Sequence, residues 1–220
     1  MSTELQKRIL TSLFLLSLLT AMYFYSFIMV IGLIIIALIT WIEFYMLISK
    51  ILIKKSIRNK FYRFLFKSVS LLYLSLLVCF IFAIESLFIS LKEYLVYSIL
   101  VAILSDVGGL IFGKTFKGKK LSKISPNKTI SGSLGSFLCS LFLLLFYYDK
   151  LTDYSLLVLI FITITISLTS QLGDLFISYL KRKAKVKNTS NILPGHGGFL
   201  DRVDGIIFAI PIGIILFYYL

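Results

Sequence analysis

The sequence predicts an all-α, polytopic integral membrane bundle of about seven transmembrane helices with a cytoplasmic N-terminus. Three observations carry that prediction. Of 220 residues, 59% are hydrophobic, and the mean hydropathy is +0.97. Only 15% are charged, against about a quarter in a typical soluble chain. The 23 lysines and arginines, set against 10 acids, fall in the polar intervals between long apolar runs. A net charge of +13 would suggest nucleic acid in a soluble chain. In one this apolar it marks cytoplasmic loops instead, and no nucleic-acid partner is expected. Three prolines and two cysteines exclude a Pro-rich disordered chain and a disulfide scaffold.

A spanning helix needs about 20 mostly apolar residues to cross about 30 Å of hydrocarbon. Residues 9–49 are one apolar run with a single acid, Glu43, long enough for a helical hairpin that turns near 23–26. Further spans fall at 64–90, 94–112, 130–148, 154–180 and 203–220. Alternate loops, beginning with Lys7 and Arg8, hold 21 of the 23 basic residues, and the opposite side holds only Lys92 and Lys150. Basic loops stay cytoplasmic, which puts the N-terminus inside and the C-terminus outside. No small-x-small cleavage site precedes the continuing apolar run, so the first helix reads as a span and not as a signal peptide. Residues 1–98 then form an N-terminal membrane region, and 99–220 a second that carries cytoplasmic loops 113–129 and 181–202. Cys79 and Cys139 read as small packing residues. No internal repeat supports a transporter of inverted-repeat design.

Acids within or at the ends of spans are costly, and their default reading is function. Glu43, near the cytoplasmic end of the second span, is read as structural, satisfied by snorkelling or by Lys50. Asp106 lies in ILSDVGGLIFG, whose Gly108, Gly109 and Gly113 allow close helix packing. Gln171, Asp174 and Ser178 share one helical face that Lys181 extends. Asp201 and Asp204 are read as opening the last span on one face, where a helix N-terminus also tolerates negative charge. These four aspartates sit near the cytoplasmic ends of their spans, each beside a loop rich in Lys, Gly, Ser and Thr. The second of those loops ends in a Gly-rich turn that holds the single histidine, His196. Lysines and backbone N–H groups of Gly-rich turns bind polyphosphate, and carboxylates bind Mg²⁺ that bridges to substrate phosphates. The combination describes a site for a nucleotide–metal complex. GKTFKG is not a Walker P-loop, because the GxxxxGK[ST] spacing is missing.

Residues 178–204 read SYLKRKAKVKNTSNILPGHGGFLDRVD. This segment resembles the signature of the phosphatidate cytidylyltransferase (CDP-diacylglycerol synthase) family. Ser178, Lys181, Arg182, Lys187, Leu193, Pro194, His196, Gly197, Gly198, Asp201, Arg202 and Asp204 stand in register with it. Residues 124–135, ISPNKTISGSLG, resemble the family's Ser-Pro-x-Lys-Thr element, and 171–174 its Gln-x-Gly-Asp. The resemblance runs from about residue 100 to the end. It departs at Asn188, where the family pattern has Asp, and at Ser131 and Leu110.

The resemblance implies transfer of CMP from CTP to phosphatidate, giving CDP-diacylglycerol and pyrophosphate. It implies catalytic roles for Asp174, Asp201 and Lys128, with Asp174, Asp201 and Asp106 at Mg²⁺, alone or with a second cation. Ser125, Thr129, Ser178, Lys181, Arg182, Lys187, His196 and Arg202 are implied in substrate binding. A homodimer in a bacterial inner membrane, with its site facing the cytoplasm, goes with that reading. Three rivals stand beside it. One is a related CTP-dependent enzyme acting on another lipid phosphate or a polyprenol, and another is an inactive paralogue, motivated by Asn188. The third, a cation transporter with Asp106 and Asp174 as a relay, requires acids near the bilayer midplane.

Overall fold

The computed structural model describes residues 3–53, 56–121, 125 and 128–220. Lys54, Lys55 and Lys123 of the basic loops, and Ile124, Pro126 and Asn127 of the Ser-Pro element, lie outside the described residues, as do the side chains of Lys7 and Arg8. Among the described residues every extended element is helical, as lipid requires of a chain that must satisfy its backbone internally. The order is α1 (Thr3–Phe24), α2 (Ser26–Ile51), α3 (Ile57–Ser86), α4 (Lys92–Phe116), α5 (Ile130–Phe142), α6 (Leu144–Tyr147), α7 (Leu156–Lys183), α8 (Leu200–Val203) and α9 (Ile206–Tyr219). Five stretches are long and apolar enough to cross a membrane: Ser26–Ile51, Ile57–Ser86, Ile89–Phe116, Ile130–Lys150 and Leu156–Lys183. Two shorter apolar helices, Ile9–Phe24 and α9, lie at either end of the series. The molecule is a multi-pass, all-helical membrane protein.

The first hairpin turns at Tyr25, inside the interval read from the sequence. The last apolar run behaves differently from its reading. The helix that was to start near 203 is broken between α8 and α9, so Asp201 lies on α8 and Asp204 in the turn that follows. Asp204 is buried, and its Oδ1 accepts from the Gly205 N–H at 3.0 Å. The two acids therefore do not line one helix face. A Cβ at Gly205 would lie 2.3 Å from Ser170 Oγ, so the break sits where only glycine lets the chain pass.

The chain divides into two compact units, Met1–Leu87 with Leu180–Arg202, and Phe88–Tyr179 with Val203–Leu220. The second basic loop thus belongs with α1–α3. In that first unit α2 buries Met29, Gly32, Thr40, Glu43 and Leu47 along one helical face. Met22 of α1 closes over Gly32, where a Cβ would lie 3.1 Å from its sulfur. Trp41 Nε1 donates to the Lys67 carbonyl at 3.1 Å, and the Lys67 ammonium lies 3.0 Å from the Tyr45 ring centroid, tying α2 to α3.

In the second unit α4 and α5 meet through the glycines that the sequence marked for close packing. A Cβ at Gly108 would lie 2.5 Å from the Gly135 carbonyl oxygen, and one at Gly135 would lie 2.3 Å from Phe112 Cβ. With lipid outside, apolar burial does not drive helices together; close backbones and interhelical hydrogen bonds do. Accordingly Ser136 Oγ donates to the Ser105 carbonyl at 2.7 Å, Ser105 and Ser167 hydroxyls meet at 2.9 Å, and Tyr97 and Thr163 hydroxyls at 2.5 Å. On α9, Gly213 packs against Ser98 of α4, and Phe217 stacks on Tyr94 at 4.5 Å.

Candidate active site

The residues marked by the sequence fall into two clusters, one in each unit. In the unit containing α4, α5 and most of α7, the loop after α4 reverses at Lys117 and Gly118, whose φ values of 50° and 109° lie in the region that favours glycine. A bridge between Lys120 and Thr129 closes the reversal, with Leu121 N donating to Lys128 O at 2.8 Å and Ile130 N to Lys119 O at 3.0 Å. Thr129 then caps α5, its hydroxyl accepting from Gly132 N at 3.0 Å, while Ser131 Oγ donates to the Lys117 carbonyl. Lys128 is fixed at the mouth of this turn, its N–H donating to the carbonyl of the buried Ser125 at 3.0 Å.

From there the Lys128 ammonium pairs with Asp174 Oδ2 on α7, the two side chains being 24% and 25% exposed. Asp174 Oδ1 accepts from Ser178 Oγ at 3.2 Å, one turn on, and Gln171, one turn back, accepts from Ser133 Oγ at 2.6 Å. The polar face read from the sequence is therefore engaged with α5 and the loop before it. Asp106 is exposed on α4.

The second cluster lies in the other unit, on the loop that follows α7. A tight turn with Gly195 and Gly197 at φ 75° and 87° is closed by Leu193 N donating to Gly197 O at 2.8 Å. Arg202 donates from its guanidinium to the His196 carbonyl at 2.8 Å. The His196 ring lies 3.4 Å from Ser12 Oγ, and Thr11 donates to the Pro194 carbonyl at 2.9 Å, so α1 braces this turn. Arg182 and Lys187 are exposed.

At the centre of this cluster is Asp201. Its Oδ1 takes Lys181 Nζ at 2.6 Å; its Oδ2 takes Thr189 N at 2.9 Å, Thr189 Oγ1 at 3.1 Å and Gly198 N at 3.1 Å. Burial by itself would raise this carboxyl. The Lys181 ammonium and the Thr189 and Gly198 N–H groups outweigh it and hold Asp201 below the usual carboxylate range.

Glu43 corrects its sequence reading. It does not snorkel and does not pair with Lys50. Fully buried at 0% exposure, it accepts from Ser190 Oγ at 2.6 Å and Phe199 N at 3.0 Å on one oxygen. The other oxygen accepts from Thr189 Oγ1 and Leu200 N, both at 2.8 Å. Thr189, which carried no weight in the sequence, joins both carboxylates. The signal that could have found Glu43 was present: an acid alone in an apolar run is functional by default.

Among the described residues, no three His, Cys, Asp or Glu side chains gather into a metal cage. Mg²⁺ rarely needs one, since it keeps waters and is held through one or two carboxylates plus substrate phosphates. The donors present fit that pattern. Asp174 is partly exposed and held by one hydroxyl and one lysine, and Asp201 has one oxygen oriented by three donors while the other carries only Lys181.

Residues 1–220 match the model of the cytidylyltransferase family. A phosphatidate cytidylyltransferase of Staphylococcus haemolyticus is 44% identical over 124 residues, covering 54% of this chain and 47% of that protein. One of Staphylococcus aureus is 42% identical over the same length and coverage. One of Rickettsia bellii is 45% identical over 115 residues, covering 49% and 50%. The chain thus spans about half the length of the curated relatives it matches. With the family model covering the whole chain, the protein belongs to the cytidylyltransferase family.

Proposed function

We propose that the protein transfers CMP from CTP to phosphatidate, releasing pyrophosphate and CDP-diacylglycerol, at the cytoplasmic face of a bacterial inner membrane. The observation that carries this reading is the pairing of each carboxylate, Asp174 and Asp201, with a lysine from a phosphate-binding type of loop or its flank. Such pairs present a cation for phosphate oxygens and an acid for a divalent ion at the same spot. A phosphatidate oxygen attacks the α-phosphorus of CTP in line. The new O–P bond forms as the bond to the β-phosphate oxygen breaks, and pyrophosphate leaves with that electron pair. The attacking phosphate is ionised at pH 7, so no general base is needed.

Within this reading Lys128 and Lys181 turn from their carboxylates to phosphate oxygens, and Arg182, Lys187 and Arg202 supply exposed charge for the triphosphate or the lipid phosphate. Ser125 and Thr129, and in the other unit the His196 turn, are each assigned to substrate binding, with Ser178 orienting Asp174. Asp174, Asp201 and Asp106 are the acids that the family resemblance offers to Mg²⁺, which would neutralise and orient the phosphates. The catalytic demand is mostly positioning and charge stabilisation. A homodimer is proposed from the family resemblance.

The test is reconstituted protein with labelled CTP, Mg²⁺ and phosphatidate vesicles. Lipid-linked CMP is the expected product, and its absence with wild-type protein would end this reading. Asp174→Asn and Asp201→Asn should each abolish product, and near-normal turnover in either would refute its assigned role.

A further inference from the structure

We propose that Glu43 is a positioning residue for Asp201, acting from α2 through the loop that joins α7 to α8; the proposal rests on the function above. Its partners are 146 to 157 residues away in sequence and lie at both ends of one short segment. Thr189 and Ser190 donate at the start, and the Phe199 and Leu200 N–H groups donate at the end. One carboxylate therefore pins both ends of the turn that holds Pro194–Gly198.

The same atoms reach Asp201. The Thr189 hydroxyl lies 2.8 Å from Glu43 and 3.1 Å from Asp201 Oδ2, and its single proton serves one carboxylate at a time. The Thr189 and Gly198 N–H groups complete the hold on Oδ2. By fixing where these donors stand, Glu43 commits Oδ2 to the loop and leaves Oδ1 for Lys181 or a ligand that displaces it. Partners of this kind, one step behind a ligating carboxylate, orient it and are worth about 10–100-fold in metal affinity. Gly198 is part of the device: a Cβ there would lie 2.6 Å from Glu43 Oε2 and 1.9 Å from Thr189 Oγ1.

A packing role alone would be filled by glutamine, which has the same shape. The clamp would not, because four donors converge on the carboxylate and the amide NH₂ of glutamine would face two of them. Wild-type, Glu43→Gln and Thr189→Val proteins in lipid nanodiscs are compared by hydrogen–deuterium exchange and by product formation against Mg²⁺ concentration. Glu43→Gln should speed exchange at Gly198, Phe199 and Leu200 about tenfold or more and raise the half-maximal Mg²⁺ concentration about tenfold. Thr189→Val should raise the Mg²⁺ requirement while Phe199 and Leu200 stay protected. Wild-type exchange and Mg²⁺ dependence in Glu43→Gln would overturn the proposal. If that variant does not fold, an unchanged Mg²⁺ dependence in Thr189→Val overturns it alone. Should the wild-type protein make no product, the enzyme reading fails, and the exchange rates still decide whether Glu43 clamps the loop.

Discussion

Lys128→Ala separates structural from catalytic use of one cation, and the geometry sets the size of each effect. In the fold, Lys128 and Asp174 form a pair whose side chains are 24% and 25% exposed. That places it near surface pairs, whose measured contributions are about 0–1 kcal/mol. Alanine leaves the backbone at 128 as it was: its N–H still donates to Ser125 O, and its carbonyl still accepts from Leu121 N. Asp174 keeps the Ser178 hydroxyl. The loss of stability should stay within about 1 kcal/mol, a shift of about 2–4 °C in melting temperature for a chain of this size. For catalysis the expectation is larger, because one preorganised donor facing developing charge is worth about 100–1,000-fold in kcat. The assay pairs a thermal melt in detergent with initial rates of lipid-linked CMP formation. Loss of at least about 100-fold in rate with a melt shift of only a few degrees is the expected result. A rate near wild type, or a rate that falls only as far as the folded fraction does, would refute the assignment of Lys128 to the phosphates.

Gly135→Ala should destabilise the protein by about 1–3 kcal/mol, the usual cost of overpacking, because the new Cβ would meet Phe112 Cβ at 2.3 Å and Cγ at 2.4 Å. Phe112→Ala in the same chain should recover part of that loss in a thermal melt, and a wild-type melt for Gly135→Ala alone would disprove the close seam. For pH, the sign follows from Asp201, whose carboxyl is held below its ordinary value. Its contribution is present above the ordinary carboxylate range, near pH 3.9, and is lost as pH falls from there through the depressed folded value. The melting temperature of wild type should therefore drop more steeply below about pH 4 than that of Asp201→Asn; parallel profiles would contradict it. The topology is tested by Asn191→Cys, at an exposed loop position, in a protein lacking Cys79 and Cys139. An impermeant thiol reagent should label it only from the cytoplasmic side.

The helices and their packing glycines were legible because both are local. An apolar run long enough to span is helical in lipid, and Gly108, Gly109 and Gly113 recur on a helix at spacings that bring one small face to a neighbour. The face of Gln171, Asp174 and Ser178 was equally plain, since helical periodicity alone puts those residues together. What escaped was set by residues distant in sequence. Glu43 was matched to Lys50, the basic residue within two turns, whereas its donors come from a loop more than a hundred residues on. The break at Gly205 answers to Ser170 across a helix pair, which no local pattern around 203–206 records. Lys128 and Asp174 were both marked, one for phosphate and one for metal, but as separate agents; their pairing depends on the bridge between Lys120 and Thr129 that sets Lys128 beside α7.

The α4–α5 seam also bears on how this gene can vary. Every missense change by one nucleotide in a glycine codon adds at least a Cβ. At Gly108 and Gly135 that atom would fall 2.5 Å and 2.3 Å from backbone or side-chain atoms of the opposing helix. Those codons have no neighbour that keeps the seam, while the lipid-facing leucines and phenylalanines nearby can exchange for any residue of similar grease. Drift along these two helices is therefore expected to be one-sided, fast on the face toward lipid and frozen on the face that sets Lys128 and the capped start of α5 in place.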